Sequence, residues 1–241
     1  MGISRGKKII TDGLIFCMDF ANKRCYNGDG SGGTIANDLV GNSIGTLNNT
    51  VGAFDSGNGG SITFDGSDDY ISTNFNEFAN PPFTVEIWFK TTNDNQQAGL
   101  FSNRIGASNS YRQFGIFISN SQYGSTAGNK LVCYHGGTLG ARAGNLSTTN
   151  VCDGKWHQAI VRSTTGNSYN YIYIDGVFED QSTNATINMT ENPDYKIGAM
   201  GNVSSYINPF DGSIAIIRYY NRGLNGDEML QNYNALKDRF I

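Results

Sequence analysis

Apolar and polar positions alternate with a period of two along several short segments of the chain, the pattern of β-strands with one buried face. In the segment 83–90, the apolar residues at 83, 85, 87 and 89 fall on one side of such a strand. The run 114–118 is almost continuously apolar, as expected for a strand covered on both faces. The pattern predicts strands over residues 61–65, 83–90, 114–118, 130–134, 156–162, 169–174 and 214–220.

Turn signals separate these predicted strands. Asp-Gly pairs at 65–66, 175–176 and 211–212 supply residues that tolerate positive φ, which tight turns between antiparallel strands require. Many short strands with closely spaced turns are typical of a β-sandwich or a barrel. Because no linker-like stretch divides the strands, we predict a single domain over residues 11–241, preceded by an N-terminal arm of residues 1–10.

One helix is predicted, over residues 225–239 near the C-terminus. Asn225 is suited to the N-cap position, and Glu228 stands three residues later, as in a capping box. We expect the apolar side of this helix to pack on its own domain, with a partner subunit as the alternative. That side is formed by Met229, Leu230, Tyr233, Leu236 and Phe240.

Composition and charge exclude several classes of protein. The 241 residues include 17 basic and 21 acidic side chains, a net charge of −4, and 12% of them are aromatic. This balance excludes intrinsic disorder and argues against nucleic-acid binding through a broad basic face. No run approaches 18 apolar residues, so we expect no membrane insertion. No apolar segment follows the basic start, so we expect no signal peptide.

Four cysteines, Cys17, Cys25, Cys133 and Cys152, are spread along the chain without a C-x-x-C pair. This spacing disfavours a zinc site or a thioredoxin-like motif. We interpret them as reduced, mostly buried thiols, with disulfides as the alternative if the protein reaches an oxidising compartment.

Six motifs follow one another along nearly the whole chain. They are TDGLIFCMDFA at 11–21, ITFDGSDDYI at 62–71, FTVEIWFK at 83–90, DGKWH at 153–157, IYIDG at 172–176 and FDGSI to YNRGL over 210–224. Together they resemble the laminin-G-like branch of the concanavalin A-like lectin/glucanase superfamily, with Gly223 where that family commonly has alanine. The resemblance implies an all-β fold: a concanavalin A-like jelly-roll β-sandwich of two antiparallel sheets, with a short C-terminal α-helix.

A narrower resemblance concerns the opening KIITDGLIF, the stretch 21–26 and the ending NYNALKDRF. These segments are similar to single-domain laminin-G-like proteins of tailed bacteriophages, cyanophages among them. The resemblance implies a virion structural protein, made in the host cytoplasm and displayed as a capsid decoration or an attachment component. Its implied partners are other virion proteins, further copies of itself and cell-surface glycans. A soluble lectin or carbohydrate-binding module is the alternative, and a divergent glycan hydrolase is a further one.

The chain lacks the residue pattern of a glycoside hydrolase. Retaining enzymes need two carboxyl groups about 5–5.5 Å apart, and the E-x-D-x-E-type motif of the superfamily's glucanases is absent. We interpret Glu86 as a polar residue on an exposed face or as the partner of a cation, with a groove-facing carboxylate as the alternative. His157, in the DGKWH motif, is interpreted as structural. We therefore predict no enzymatic activity.

Candidate sugar-binding residues are aromatic and planar polar side chains near the ends of predicted strands and in the loops between them. An aromatic ring can cover the apolar face of a sugar, and a guanidinium can donate hydrogen bonds to its hydroxyls. The predicted ligand-binding residues are Tyr111, Arg112, Tyr134, His135 and Arg142. The fold analogy favours sugar binding but does not place the site.

A calcium site is the candidate metal centre. Asp65, Asp68 and Asp69 supply three carboxylates within five residues, the kind of ligand that hard cations prefer. Some laminin-G-like relatives bind calcium at the rim of the sandwich, so the resemblance points the same way. The alternative is that Asp65 and Asp68 shape the hairpin by accepting bonds from backbone amides. We expect no cofactor to be required, with Ca²⁺ at these three residues as an optional ligand.

Overall fold

The computed structural model of the protein describes residues 8–28, 33–49, 54–77, 82–94, 97–103, 114–119, 129–135, 144–164, 169–183, 194–200 and 208–241. These residues contain one short 3-10 helix, η1 (Gly57–Gly59), and one α-helix, α1 (Gly226–Phe240). They also contain the strands β1 (Leu14–Asp19), β2 (Ile35–Asn37), β3 (Ile44–Asn48), β4 (Phe54–Asp55), β5 (Ser61–Asp65), β6 (Tyr70–Thr73), β7 (Phe83–Lys90), β8 (Ala98–Ser102), β9 (Phe114–Ile118), β10 (Leu131–His135), β11 (Gly144–Leu146), β12 (Trp156–Ser163), β13 (Tyr169–Ile174), β14 (Val177–Thr183), β15 (Lys196–Ile197) and β16 (Asp211–Tyr220).

The strands form two antiparallel sheets that enclose the core between them. Sheet A has the order β14-β13-β12-β7-β16-β5-β4, and β1 pairs with the second half of β16. Sheet B has the order β11-β10-β9-β8-β15-β6-β3-β2. This jelly-roll sandwich, with one helix at its C-terminal end, confirms the predicted fold class.

The seven strands predicted from alternation are all present. The bounds of β5, β7, β9 and β13 are as predicted, whereas β10 is shifted by one residue and β16 begins three residues earlier. The alternation did not reveal the other nine strands of the described structure, among them β8 and β14. All five residues of β8 are buried, and β14 is a largely polar strand at the edge of sheet A, so neither alternates.

The predicted Asp-Gly turns have different outcomes. Asp175 and Gly176 have φ values of 53° and 79° and join β13 to β14, as the predicted hairpin turn requires. The turn predicted at 211–212 is wrong, because both residues belong to β16. Gly212 is needed there for close approach, since a Cβ atom on it would lie 2.3 Å from the Lys90 carbonyl oxygen.

The core lies between the inner faces of the two sheets. The apolar residues of β7, at 83, 85, 87 and 89, are all buried in it, as the alternation predicts. Aromatic rings that are distant in the sequence fill its centre: Phe101 and Tyr195 stack with centroids 4.4 Å apart, and Phe83 and Tyr219 stack at 5.7 Å.

Helix α1 begins as predicted and covers the outer face of sheet A. The Asn225 side chain accepts from the Glu228 amide, and the Glu228 carboxylate accepts from the Asn225 amide, which completes the capping box. Phe240 stacks on Trp88 at 4.3 Å between ring centroids. The predicted apolar side is correct except at Leu230, which is 46% exposed, while Asn232 is fully buried instead.

The last residues of the predicted N-terminal arm are packed against this helix. The backbone N–H of Ile10 donates to Asn232 Oδ1 at 2.8 Å, and Gln231 donates to the Lys8 carbonyl at 2.7 Å. Ile9 and Ile10 contact a small buried cluster around Tyr220. Residues 1–7 lie outside the described residues.

The four cysteines are free thiols, and three of them, Cys17, Cys25 and Cys133, are buried. Burial raises the pKa of Cys17 to about 11 and of Cys25 to about 12, so both thiols stay protonated near neutral pH. In the part of the chain that the structure describes, no helix has the length and apolar character needed to cross a bilayer.

Candidate functional site

Several strands of sheet B begin or end together at one end of the sheet. Phe114, the first residue of β9, pairs with His135, the last residue of β10. Tyr134 pairs with Gly144, the first residue of β11. The connections from β8 to β9 and from β10 to β11 are therefore anchored side by side. We call this place the β9–β11 end.

The structure describes two of the five residues predicted to bind a ligand. Tyr134 is half-buried in β10, and His135 follows it with its backbone paired in the strand. Tyr111, Arg112 and Arg142 lie outside the described residues. All five, however, belong to β10 or to the two connections that are anchored at the β9–β11 end.

Small and polar residues cross the outer face of sheet B. Because Ile71 and Ile197 are buried in the core, their neighbours Ser72 and Lys196 face outward. We name the resulting line of cross-strand neighbours the outer row. It consists of Tyr134, Gly115, Ser102, Lys196, Ser72 and Thr46.

Lys196 lies near the middle of the outer row and is half-buried. Its ammonium is 5.7 Å from the centroid of the Tyr70 ring, and burial lowers the pKa of this lysine. The Asn48 amide donates to Ser72 Oγ at 3.0 Å. These residues were not predicted because β3, β6 and β15 are short, although Tyr70 and Ser72 do alternate with buried neighbours.

An apolar cluster adjoins the outer row on the same face. Phe117, Val132 and Met200 are almost fully buried, and Tyr134 and Leu146 pack against them. Tyr134 therefore lies at the border between apolar and polar surface. An aromatic side chain in this position can contact both the apolar face and the hydroxyl groups of a sugar.

The three predicted metal ligands come together in the turn that leads from β5 in sheet A to β6 in sheet B. The predicted hairpin at this place is wrong, because the two strands belong to different sheets and do not pair. One carboxylate oxygen each from Asp65, Asp68 and Asp69 lies within 4.8 Å of the others. Asp65 accepts from the Ser67 amide at 2.8 Å, and Asp69 accepts from the Asp65 amide at 2.9 Å. Burial, reinforced by the charges of Asp65 and Asp68, raises the pKa of Asp69. The oxygen ligands fit Ca²⁺, but the amide bonds also explain the turn without an ion.

Glu86 has no access to solvent. It lies on the outer face of sheet A beneath α1, is 0% exposed, and accepts from Arg218 at 2.9 Å. Gln158 and Asn232 donate to the same carboxylate at 3.0 and 2.9 Å. The interpretation of Glu86 as the partner of a cation is confirmed, whereas its placement on an exposed face is wrong because α1 covers it.

His157 is held between two carboxylates. Its Nδ1 lies 2.7 Å from Asp175 and its Nε2 lies 3.1 Å from Asp153. Burial alone would lower the pKa of His157, but the hydrogen bonds and charges of these two partners outweigh it and raise the pKa. This arrangement ties the turn before β12 to the hairpin turn after β13, a structural role.

Two antiparallel sheets in a jelly-roll sandwich define the architecture of lectin-like domains. A family model described as the concanavalin A-like lectin/glucanases superfamily matches residues 65–229. This match covers more than half of the chain, which therefore belongs to that superfamily. A comparison with curated protein sequences gives no match.

Similar solved structures come from proteins associated with sialic acid. The Trypanosoma rangeli sialidase in complex with sialic acid has a TM-score of 0.68 and 13% identity, over 98% of this chain and 36% of that one. The Ruminococcus gnavus IT-sialidase CBM40 has a TM-score of 0.54 and 17% identity, over 70% of this chain and 94% of that one. The chain thus spans about a third of the trypanosomal protein. At identities this low, the structural similarity establishes a shared fold alone.

Proposed function

We propose that the protein is a non-catalytic glycan-binding β-sandwich displayed on a tailed-phage particle, as a capsid decoration or an attachment component. The observation that carries glycan binding is the register of β9, β10 and β11, which anchors both candidate loops beside Tyr134. The fold, shared with a CBM40 carbohydrate-binding domain, supports it. The virion role rests on the resemblance of the chain's end segments to phage proteins.

The chemistry at the β9–β11 end suits a saccharide. Tyr134 offers a ring at the edge of an apolar cluster, and Arg112 and Arg142 would add fork-shaped donors for hydroxyl or carboxylate oxygens. The outer row continues this surface with the hydroxyls of Ser72 and Thr46 and the ammonium of Lys196. Several weak polar contacts around one aromatic contact are typical of binding without covalent chemistry.

The absence of catalysis is proposed from the position of Glu86. A carboxylate that acts as an acid, base or nucleophile must reach the substrate. Glu86, the glutamate within β7, is sealed beneath α1 and held by Arg218, Gln158 and Asn232. Incubation of the protein with the glycans that it binds should release no reducing ends, and turnover would favour the hydrolase alternative.

A glycan array tests the binding site. Wild-type protein should bind a subset of glycans saturably, and Tyr134→Ala should reduce that binding about tenfold or more. Tyr171→Ala is the matched control, because Tyr171 is also half-buried in a strand but belongs to sheet A. Arg112→Ala and Arg142→Ala should each weaken binding. Equal loss in the Tyr171 control, or no binding by the wild type, would contradict this site.

Mass spectrometry of purified particles tests the virion role. A copy number in a fixed ratio to the major capsid protein would support a decoration, and a few copies would support an attachment component. Deletion of residues 1–7 tests whether the protein docks on the particle through its N-terminal arm. The deletion spares Lys8, whose carbonyl accepts a hydrogen bond from Gln231. Absence of the protein from particles would favour a soluble lectin.

A further inference from the structure

The chain just before β1 is fastened to α1 through polar contacts. Gln231 donates to the Lys8 carbonyl, and Asn232 accepts from the Ile10 amide. Tyr220 donates to the Ile10 carbonyl at 3.0 Å. Asn232 itself is fully buried and also donates to Glu86, so the attachment point is fixed to sheet A. The position from which residues 1–7 depart is therefore set beside Gln231.

Next to this point, α1 presents a line of side chains that are exposed or half-buried. Asp227, Leu230, Gln231 and Asn234 follow the i, i+3, i+4, i+7 spacing of one helix side. Among the described residues, these four line a hollow of about 380 Å³. Asp227 is exposed, and Leu230 is 46% exposed although it is apolar. We call these four residues the α1 stripe.

We propose that residues 1–7 dock on the α1 stripe of their own chain. The segment MGISRGK carries an apolar side chain at Ile3 and positive charges at Arg5 and Lys7. The side chain of Ile3 can contact the exposed Leu230. The positive charges of Arg5 and Lys7 complement the negative charge of Asp227. Seven residues span at most about 25 Å, and the stripe is about 10 Å long, so the segment can reach along all of it.

This docking is separate from glycan binding. It would make residues 1–7 and α1 one composite surface. Tethering at Lys8 gives the segment a high effective concentration at the stripe, so weak contacts suffice to hold it. The exposed side chains of Val177 and Phe178 lie in the hairpin whose Gly176 approaches Leu230. A docked segment would extend the covered surface toward that hairpin.

A peptide titration tests this docking. Full-length protein and a variant lacking residues 1–7 are labelled with ¹⁵N and titrated with the synthetic peptide MGISRGK. The truncated protein should show saturable shifts of amides in α1 around Asp227 to Asn234. The full-length protein should bind the peptide at least about fivefold more weakly, because its own segment occupies the stripe.

Matched variants make the outcome decisive. Asp227→Asn in the truncated protein, or a peptide with glutamine at positions 5 and 7, should weaken binding about threefold per charge removed. Leu230→Ser should weaken it further, while Asp238→Asn, also exposed on α1, should not. The proposal is overturned by absent shifts, by a scrambled peptide that binds equally, or by equal binding to full-length and truncated protein. None of these readouts depends on glycan binding.

Discussion

The outer faces of the two sheets contrast sharply. On sheet A, α1 covers the face with stacked aromatic rings, and beneath it lies a sealed ion pair between Glu86 and Arg218. On sheet B, the outer row carries small hydroxyl side chains and a half-buried lysine.

The difference shows that the two outer faces of one fold can have different roles, one in stability and the other in binding. A buried ion pair gains little net stability but becomes very costly when one partner is lost. Hydroxyl groups at a half-exposed face cost little to keep or remove. Sheet A is therefore the face on which substitutions should damage the fold, and sheet B is the face on which they should change binding.

Removal of the Glu86 carboxylate should have the largest effect. Glu86→Ala leaves Arg218 buried without its countercharge, and should lower the free energy of unfolding by about 3–5 kcal/mol. Urea denaturation measures it. On sheet B, Ser72→Ala is the comparison and should change stability by less than about 0.5 kcal/mol. The double variant Glu86→Leu with Arg218→Met should recover part of the loss, and failure to do so would argue against the ion pair as its source.

The charge of His157 should make sheet A sensitive to pH. Its pKa is raised in the folded state, so its contribution is fully present below about pH 6.5, the unfolded value, and is lost as the pH rises through the folded pKa. Each pKa unit by which the folded value exceeds the unfolded value contributes about 1.4 kcal/mol to the free energy of unfolding. His157→Gln should flatten this part of the stability profile, measured by thermal unfolding from pH 6 to 9. Parallel profiles for the two proteins would refute this contribution.

Loss of the helix cap should have a smaller effect, confined to the cover of sheet A. Asn225→Ala removes one side of the capping box and should cost about 1 kcal/mol. Asn225→Asp should be nearly neutral, because aspartate also accepts from the amide of Glu228. Hydrogen exchange should rise in the first turn of α1 and not in sheet B. A uniform increase across both sheets would contradict a local role.

Calcium should have the smallest effect. Asp65 and Asp69 already accept from backbone amides, so we expect excess EGTA to shift the unfolding temperature by less than about 1 °C. The Asp68→Asn variant, which keeps both of those bonds, is the control. A calcium-dependent rise in the unfolding temperature that Asp68→Asn abolishes would instead establish Ca²⁺ as a ligand of this turn.

Much of the fold could be predicted from local pattern. The alternation in β7 predicts its buried side because period two is a property of the strand alone. The capping box of α1 is predictable for the same reason, since Asn225 and Glu228 are three residues apart. The turn at Asp175 and Gly176 also follows from two adjacent residues. The predicted turn at Gly212 failed because contact with the Lys90 carbonyl, distant in sequence, decides its conformation.

The candidate site was predictable only in part. Tyr134 and His135 are recognisable from residue type, but their position beside β9 and β11 follows from strand register. The outer row depends on the pairing of short strands such as β15, which contains two residues. Such short segments carry too few positions for a periodic signal.

By itself, the sequence determined seven of the strands, where the helix begins and which side of β7 enters the core. Each of these depends on residues close together in the chain, so local sterics and hydrogen bonding suffice. Only the tertiary structure decided that Glu86 is sealed while the outer row is partly open. Asn232 and Glu86 are 146 residues apart, and which face of a sheet is covered depends on where so distant a helix packs.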